Sequence, residues 1–180
     1  MGSDGFDALM AALDPPMAIV TTAVGDERAG CLIGFHAQNS IDPSRYCVWI
    51  SKANHTHRAI LHSPHLAIHF LTSADHDLAS LFGELSGDQV DKFALCDTTV
   101  HESGVPLLDR CPFFIVGRRV TLLEDESDHA CVIFEPIDVS TGENFAALHL
   151  SDLTDLVPGH PVHDRAAPPT VRAQPEEADR

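Results

Sequence analysis

The order of β-rich runs constrains the fold of this chain most strongly, because these runs do not alternate with helices. The runs that predict strands are Met17–Val24, Ala29–Phe35, Tyr46–Ser51, Leu66–Leu71, Phe113–Leu123, Ala130–Val139 and a short one at Ala146–Leu150. The runs that predict helices are Asp7–Leu13, Ala53–Ser63 and His76–Glu84. A parallel sheet needs a crossover helix between successive strands. The pattern therefore predicts a mainly β protein, an antiparallel β-barrel with helical insertions.

Composition and charge narrow the classes of partner. The net charge is −16 with the histidines neutral, and such a field repels nucleic acid and anionic membranes, so we expect neither as a partner. No apolar run approaches the roughly 18 residues of a membrane span. The acidic start MGSDGFDALM differs from the basic start of a secretory signal, and five scattered cysteines without a C-x-x-C motif indicate a reducing compartment. We therefore expect a cytoplasmic protein.

The chain divides into one domain and a tail. Residues 1–157 predict a single domain, since about 100–200 residues per domain is usual. Residues 158–180 read PGHPVHDRAAPPTVRAQPEEADR, a Pro-, Ala- and charge-rich composition that predicts a disordered tail. An arm that embraces a second subunit is the alternative interpretation of this segment.

The twelve histidines raise the question of a metal site. Metal ligands must converge from suitable faces, and no H-E-x-x-H or Cys/His spacing occurs. In the predicted strand around residues 65–71, His65 and His69 share one face, and alternation predicts that this face points outward. We expect no metal site.

The stretch from Gly30 to Arg58 suits a ligand that is flat at one end and phosphorylated at the other. It reads GCLIGFHAQNSIDPSRYCVWISKANHTHR, an extended segment followed by a helix start. A helix N-terminus leaves amide groups unpaired and attracts phosphate. Asn54 is a natural N-cap, Thr56 offers a hydroxyl, and Lys52 and Arg58 offer charge. An ordinary capped helix with a solvated basic side is the alternative.

Short motifs follow one another along residues 10 to 140. They are Asp14-Pro15-Pro16, Val20-Thr21-Thr22, Ala29-Gly30, Ser40-Ile41-Asp42-Pro43, Ser51-Lys52 with Thr56, Leu78-Ala79 with Phe82, Asp91-Lys92-Phe93, Gly104-x-Pro106-Leu107 and Asp128-His129. This ordered succession resembles the flavin reductase-like family of FMN-binding split barrels. The variant segment GCLIGF, with the SKANHT that follows it, resembles an actinobacterial-type branch of that family.

The resemblance implies an antiparallel Greek-key split β-barrel that forms a homodimer and binds FMN in a groove at the subunit interface. It implies hydride transfer from NAD(P)H to the flavin, with reduced flavin passed in some members to a partner monooxygenase. A non-catalytic FMN-binding protein, either a sensor or a flavin carrier, is the first alternative. Haem or metal binding, suggested by the histidines, is a weaker one.

The resemblance also implies the site residues. His129 is the predicted catalytic residue, positioning the nicotinamide or a proton-bearing water. The predicted cofactor-binding residues are Cys31, Leu32, Ile33, Gly34, Gln38, Asn39, Ser40, Ser51, Lys52, Ala53, Asn54, His55, Thr56, Phe82 and Lys92. Core packing is the alternative for Cys31 and Phe82, and a solvated loop charge is the alternative for Lys92.

Two departures from the family pattern stand out. Leu32, Gly34 and Phe35 replace family hydroxyl residues, which leaves ring contacts to backbone groups and to the Gln38–Ser40 segment. After His129, the segment Ile133-Phe134-Glu135-Pro136 replaces Ile-Gly-x-Val, a change that bears on the nicotinamide side of the site.

Overall fold

Nine strands and three α-helices form over residues 3–159, which are the residues that the computed structural model of the chain describes. The helices are α1 (Ser3–Leu13), α2 (His55–His62) and α3 (His76–Glu84). The strands are β1 (Ala18–Val24), β2 (Glu27–Ile33), β3 (His36–Ser40), β4 (Arg45–Ser51), β5 (His65–Phe70), β6 (Thr98–Val100), β7 (Pro106–Leu108), β8 (Phe114–Leu123) and β9 (His129–Ser140). The predicted tail lies outside the described residues from position 160 onward.

Seven of the strands form one curled antiparallel sheet in the order β2-β1-β5-β8-β9-β4-β3. The strands β2 and β3 are consecutive in the chain but lie at opposite edges of this sheet. Only Gly34 and Phe35 separate them, and the Trp49 amide of β4 donates to the Phe35 carbonyl at 2.9 Å. The sheet must therefore curl until its two edges meet at this link. The predicted mainly β, antiparallel split-barrel fold is confirmed.

Most predicted elements form within a few residues of their expected bounds, and α3 has the predicted bounds. The edge strand β3 and the hairpin of β6 and β7 were not predicted. The predicted strand at Ala146–Leu150 is wrong: Ala147 and His149 make isolated bridges to Thr72 and Pro16, and a 3₁₀ helix then begins at Leu150. A segment that pairs at single residues does not build a ladder.

The core has two main parts, one on each side of β1. Val20 packs inside the barrel with residues that include Ile68 and Phe134. Ile19, on the other face, packs under α3 with Phe82. Successive side chains of a strand point to opposite faces, so β1 is buried on both. Inside the barrel, a Cβ added at Gly117 would lie 2.0 Å from Phe134 Cδ2, so only glycine leaves room for this ring.

His69 is fully buried, so the prediction that it faces outward with His65 is wrong. Its Nε2 accepts the Leu108 backbone N–H at 3.2 Å, and its Nδ1 lies 3.3 Å from the Ile19 carbonyl oxygen. Because an amide can only donate, Nε2 must be unprotonated and the ring neutral, with its hydrogen on Nδ1. Burial lowers the pKa of His69 to about 4. The imidazole thus ties the hairpin of β6 and β7 to the sheet.

This arrangement predicts acid sensitivity from His69. Its pKa falls from 6.5 in the unfolded chain to about 4 in the fold, so the unfolded state binds the extra proton. The contribution to stability is therefore complete above pH 6.5 and is lost as pH falls toward 4, with a limit of about 3 kcal/mol. Chemical unfolding measured from pH 7 to pH 4 should show a steeper loss for the wild type than for His69→Gln. The exposed-site control His62→Gln should follow the wild type, and parallel curves for all three proteins would contradict the prediction.

Candidate functional site

The start of α2 is fixed by residues at the end of β4. The Ser51 carbonyl accepts the Asn54 amide at 3.0 Å, and Asn54 Oδ1 accepts the Thr56 amide at 3.0 Å. The predicted N-cap at Asn54 is therefore confirmed. These bonds hold the positive end of the eight-residue helix beside the last residue of β4.

The Thr56 hydroxyl is the least satisfied group at this helix start. Thr56 is fully buried, and its Oγ1 makes no hydrogen bond within residues 3–159. It interacts with the thiol of Cys31, which is also buried. Burial raises the pKa of Cys31, while the Thr56 hydroxyl and the Lys92 charge act to lower it. Because Thr56 is 0% exposed, its hydroxyl is not open to a ligand in this conformation.

Lys52 connects the helix start to the turn between β8 and β9. Its Nζ donates to the carbonyl oxygens of Ser127, at 2.7 Å, and Asp125. Its backbone amide donates to the Asp128 carbonyl at 2.9 Å. An ammonium group has three N–H donors, so one remains for a ligand.

The predicted catalytic residue lies beside the predicted phosphate-side segment. His129 is the first residue of β9 and is directly opposite Ser51 in the β4–β9 pairing. Its Nδ1 is 2.8 Å from Asp128 Oδ1. Its ring centroid lies 5.2 Å from that of Phe35, whose side chain is 57% exposed. When Nδ1–H donates to the carboxylate, the neutral ring presents Nε2 as an acceptor.

Sequence reasoning missed Phe35 and Asp128 as neighbours of His129. In the sequence, Phe35 stands out only as a departure from the family pattern, and Asp128 only as part of a motif. Their proximity follows from the β4–β9 register and from the short link between β2 and β3. Only the strand pairing, which no local sequence pattern shows, brings these residues next to His129.

Phe82 and Lys92 lie apart from this cluster. Phe82 is 1% exposed, and its ring packs edge-on against Phe93. Lys92 is 3% exposed, and its Nζ donates to the Phe82 and Leu85 carbonyls at 3.3 and 3.0 Å. Burial lowers its pKa. Lys92 therefore caps the C-terminal end of α3, and neither side chain is open to a ligand in this conformation.

The remaining predicted residues follow the two edges of the sheet. Cys31, Leu32, Ile33 and Gly34 lie on or just after β2, Gln38, Asn39 and Ser40 lie on β3, and Ala53 and His55 flank the N-cap. The two edges are those that the link at Gly34 and Phe35 brings together. The side chains of Cys31 and Ile33, however, pack in the barrel core, which is the alternative given for Cys31.

An acidic groove of about 450 Å³ lies on the other side of the α2 start. The basic side chains of Arg28 and Lys92 line it with His55 and Gly30, but they are outnumbered by the carboxylates of Asp26, Glu27, Asp88 and Asp91. His55 Nε2 is 3.1 Å from Glu27 Oε1. Several carboxylates repel a phosphate, so the surface formed by Ser51, Lys52 and His129 is the better anion-binding candidate.

Comparison with known proteins identifies the family. Residues 10–153 match the model of the flavin reductase like domain. The chain belongs to the flavin reductase-like family. No curated protein sequence matches it. Within residues 3–159, no helix could cross a membrane, and no group of three or more His, Cys, Asp or Glu side chains could hold a metal ion.

Solved structures share the fold of this family member at low sequence identity. The NADH:FAD oxidoreductase of Streptomyces globisporus C-1027 superposes with a TM-score of 0.71 at 20% identity, covering 83% of this chain and 88% of that one. An FMN-binding protein from Thermus thermophilus gives 0.66 at 23%, covering 70% of each chain. A putative oxidoreductase from Sinorhizobium meliloti 1021 gives 0.71 at 17%, covering 79% of this chain. This chain spans only about half of that last protein, 49%.

Proposed function

We propose that this family member binds FMN and transfers hydride to it from NAD(P)H. The observation that carries the proposal is the N-terminus of α2, which the Asn54 cap holds beside Lys52, an ammonium group with one N–H left for a ligand. A helix start with a nearby ammonium suits a phosphate monoester. In the flavin reductase-like family, this favours a phosphorylated flavin as the ligand.

The residues present fit such a cofactor. Ser51, Lys52 and the backbone amides at the positive end of α2 would hold the phosphate. The extended backbone of β2 and the edge strand β3 would border the flat ring. When bound, the flavin supplies the redox chemistry, because it accepts hydride from a reduced nicotinamide.

His129 has a positioning role in this proposal. Its hydrogen bond with Asp128 and its contact with Phe35 fix the ring beside the link where the two sheet edges meet. From there the imidazole would orient the nicotinamide or hold a water that carries a proton. Hydride transfer itself needs no general base, so the role of His129 is to align reactants.

The assembly and the cellular setting belong to the same proposal. A homodimer would cover the sheet edges that border the ring, and reduced flavin would pass to a partner monooxygenase. The NADH:FAD oxidoreductase and the FMN-binding protein among the similar structures support a flavin and a nicotinamide as ligands. We place the reaction in the cytoplasm because of the free, scattered cysteines.

A non-catalytic FMN-binding protein is the second candidate. Its motivation is the altered segment after His129. In the structure, Phe134 of this segment is fully buried and fills the space above Gly117, while Glu135 pairs with Arg118. The Phe134 change therefore alters core packing rather than the ligand surface, which favours the catalytic candidate.

An absorption spectrum tests the function directly. Purified protein incubated with FMN and then desalted should be yellow, and NADH or NADPH should bleach the flavin band under anaerobic conditions. A colourless protein would contradict flavin binding. A yellow protein that neither nicotinamide bleaches would instead establish the non-catalytic candidate.

Replacement of His129 should slow reduction without preventing cofactor binding. We expect His129→Ala to lower the anaerobic rate of flavin reduction by about 10-fold or more, because alignment and proton positioning are lost. The FMN dissociation constant should change little. The surface variant His62→Ala serves as the matched control. Reduction rates equal to those of the wild type in His129→Ala would remove the assigned role.

The phosphate contact can be isolated by comparing FMN with riboflavin. Lys52→Ala should weaken FMN much more than riboflavin, since a charge-assisted contact contributes roughly 1.5–3 kcal/mol. Arg58→Ala is the control, because Arg58 is on α2 but is paired with Asp88. An equal loss for both ligands in Lys52→Ala would show that Lys52 does not contact the phosphate.

A further inference from the structure

Arg45, the first residue of β4, is a cation without a side-chain partner among residues 3–159. Of the eleven Lys and Arg residues, three lie beyond position 159, which leaves eight within the described part. Seven of these eight make ion pairs or hydrogen bonds: Arg28, Lys52, Arg58, Lys92, Arg110, Arg118 and Arg119. Arg45 has no such contact with residues 3–159, and its Nε is buried without a hydrogen-bond partner.

The isolation of Arg45 is unexpected on physical grounds. The chain carries 27 carboxylate side chains against 11 basic ones, so a guanidinium has many carboxylates to choose from. A half-buried charge left without a counter-charge is costly. A guanidinium also offers a rigid fork of donors suited to a planar or anionic acceptor. Arg45 therefore has the properties of a residue reserved for a ligand.

The position of Arg45 relates it to the proposed flavin site. It is directly across from Ser40 on β3, one of the predicted ring contacts. Residues at every second position of β4 share a face, so Arg45 shares one face with Trp49 and Ser51. From Ser51 to Arg45 is six residues, about 20 Å at 3.3 Å per residue. This span suits an extended flavin mononucleotide together with the reach of an arginine side chain.

We propose that Arg45 binds the pyrimidine edge of the flavin, the N1–C2=O2 region, and thereby favours the reduced anionic form. This inference rests on the proposed function. With the phosphate at the α2 start, the ring would pass Phe35 and Trp49 and end at Arg45. Two-electron reduction places negative charge on N1 and O2, so the guanidinium binds the reduced ligand more tightly than the oxidised one. A positive charge near N1 tunes the flavin in this direction.

The experiment measures both redox forms of the ligand. For Arg45→Gln, the dissociation constant of reduced FMN at pH 8 should rise by about 10- to 100-fold, the loss expected for one charge-assisted contact. That of oxidised FMN should change by less than about 3-fold, as expected for a weak neutral contact. The midpoint potential of bound FMN should become more negative. The difference between wild type and Arg45→Gln in affinity for reduced FMN should narrow in acid, where N1 of the reduced flavin is protonated.

Matched variants separate the charge from the fold. Arg118→Gln removes an exposed guanidinium that is paired with Glu135, and it should leave both dissociation constants unchanged. Arg45→Lys keeps the charge without the planar fork and should recover part of the preference for reduced FMN. This partial rescue also distinguishes a binding role from a structural one.

Several outcomes would overturn the inference. A loss in Arg45→Gln that is larger for FMN than for riboflavin would assign Arg45 to the phosphate. Dissociation of a dimer with an unchanged redox preference would assign it to a carboxylate of a second copy. Flavin binding by the wild type with unchanged affinities in Arg45→Gln overturns this inference alone. A wild-type chain that binds no flavin overturns the proposed function and this inference together.

Discussion

The closure of the sheet depends on a link of two residues. The strands at the two edges, β2 and β3, are joined by Gly34 and Phe35, and the Phe35 carbonyl accepts the Trp49 amide. A link this short forbids a flat sheet and fixes where the edges meet. The same link sets Phe35 against His129 and places the end of β4 where α2 begins. The geometry of the candidate site is thus largely a consequence of barrel closure.

Local sequence patterns predict the elements whose structure depends on neighbouring residues in the chain. Hydrophobic spacing predicted α3, and polar residues before an apolar run predicted the cap at Asn54. The hairpin of β6 and β7 was missed because its strands have three residues each, too few to show alternation. His69 was misplaced for the same reason, since its burial depends on that hairpin. Strand order and register, which place His129 beside Ser51, depend on contacts between residues distant in sequence and leave no local pattern.

The two lysines show how far a motif predicts a role. Both lie in segments that resemble the family pattern. Lys52 is partly exposed just after β4, whereas Lys92 is enclosed under β2 and caps α3. The sequence around each lysine does not show which side chain is buried. Burial of Lys92 depends on the packing of Phe82 and Phe93 beneath Gly30, which are contacts made in the folded structure. A charged residue in a strongly acidic chain is therefore informative only when its partners are known.

The contacts of Lys52 link occupancy of the site to the order of the β8–β9 turn, which is distant in sequence but adjacent in space. The same ammonium that lies beside the α2 start also holds the carbonyls of the β8–β9 turn, which leads into Asp128 and His129. Because one N–H of the ammonium is free, an anion that accepts it holds the ammonium in place against the turn, and an ordered turn holds the ammonium ready for the anion. Two such equilibria are coupled reciprocally. The alignment of His129 and the affinity for a phosphate would then vary together, through one shared cation.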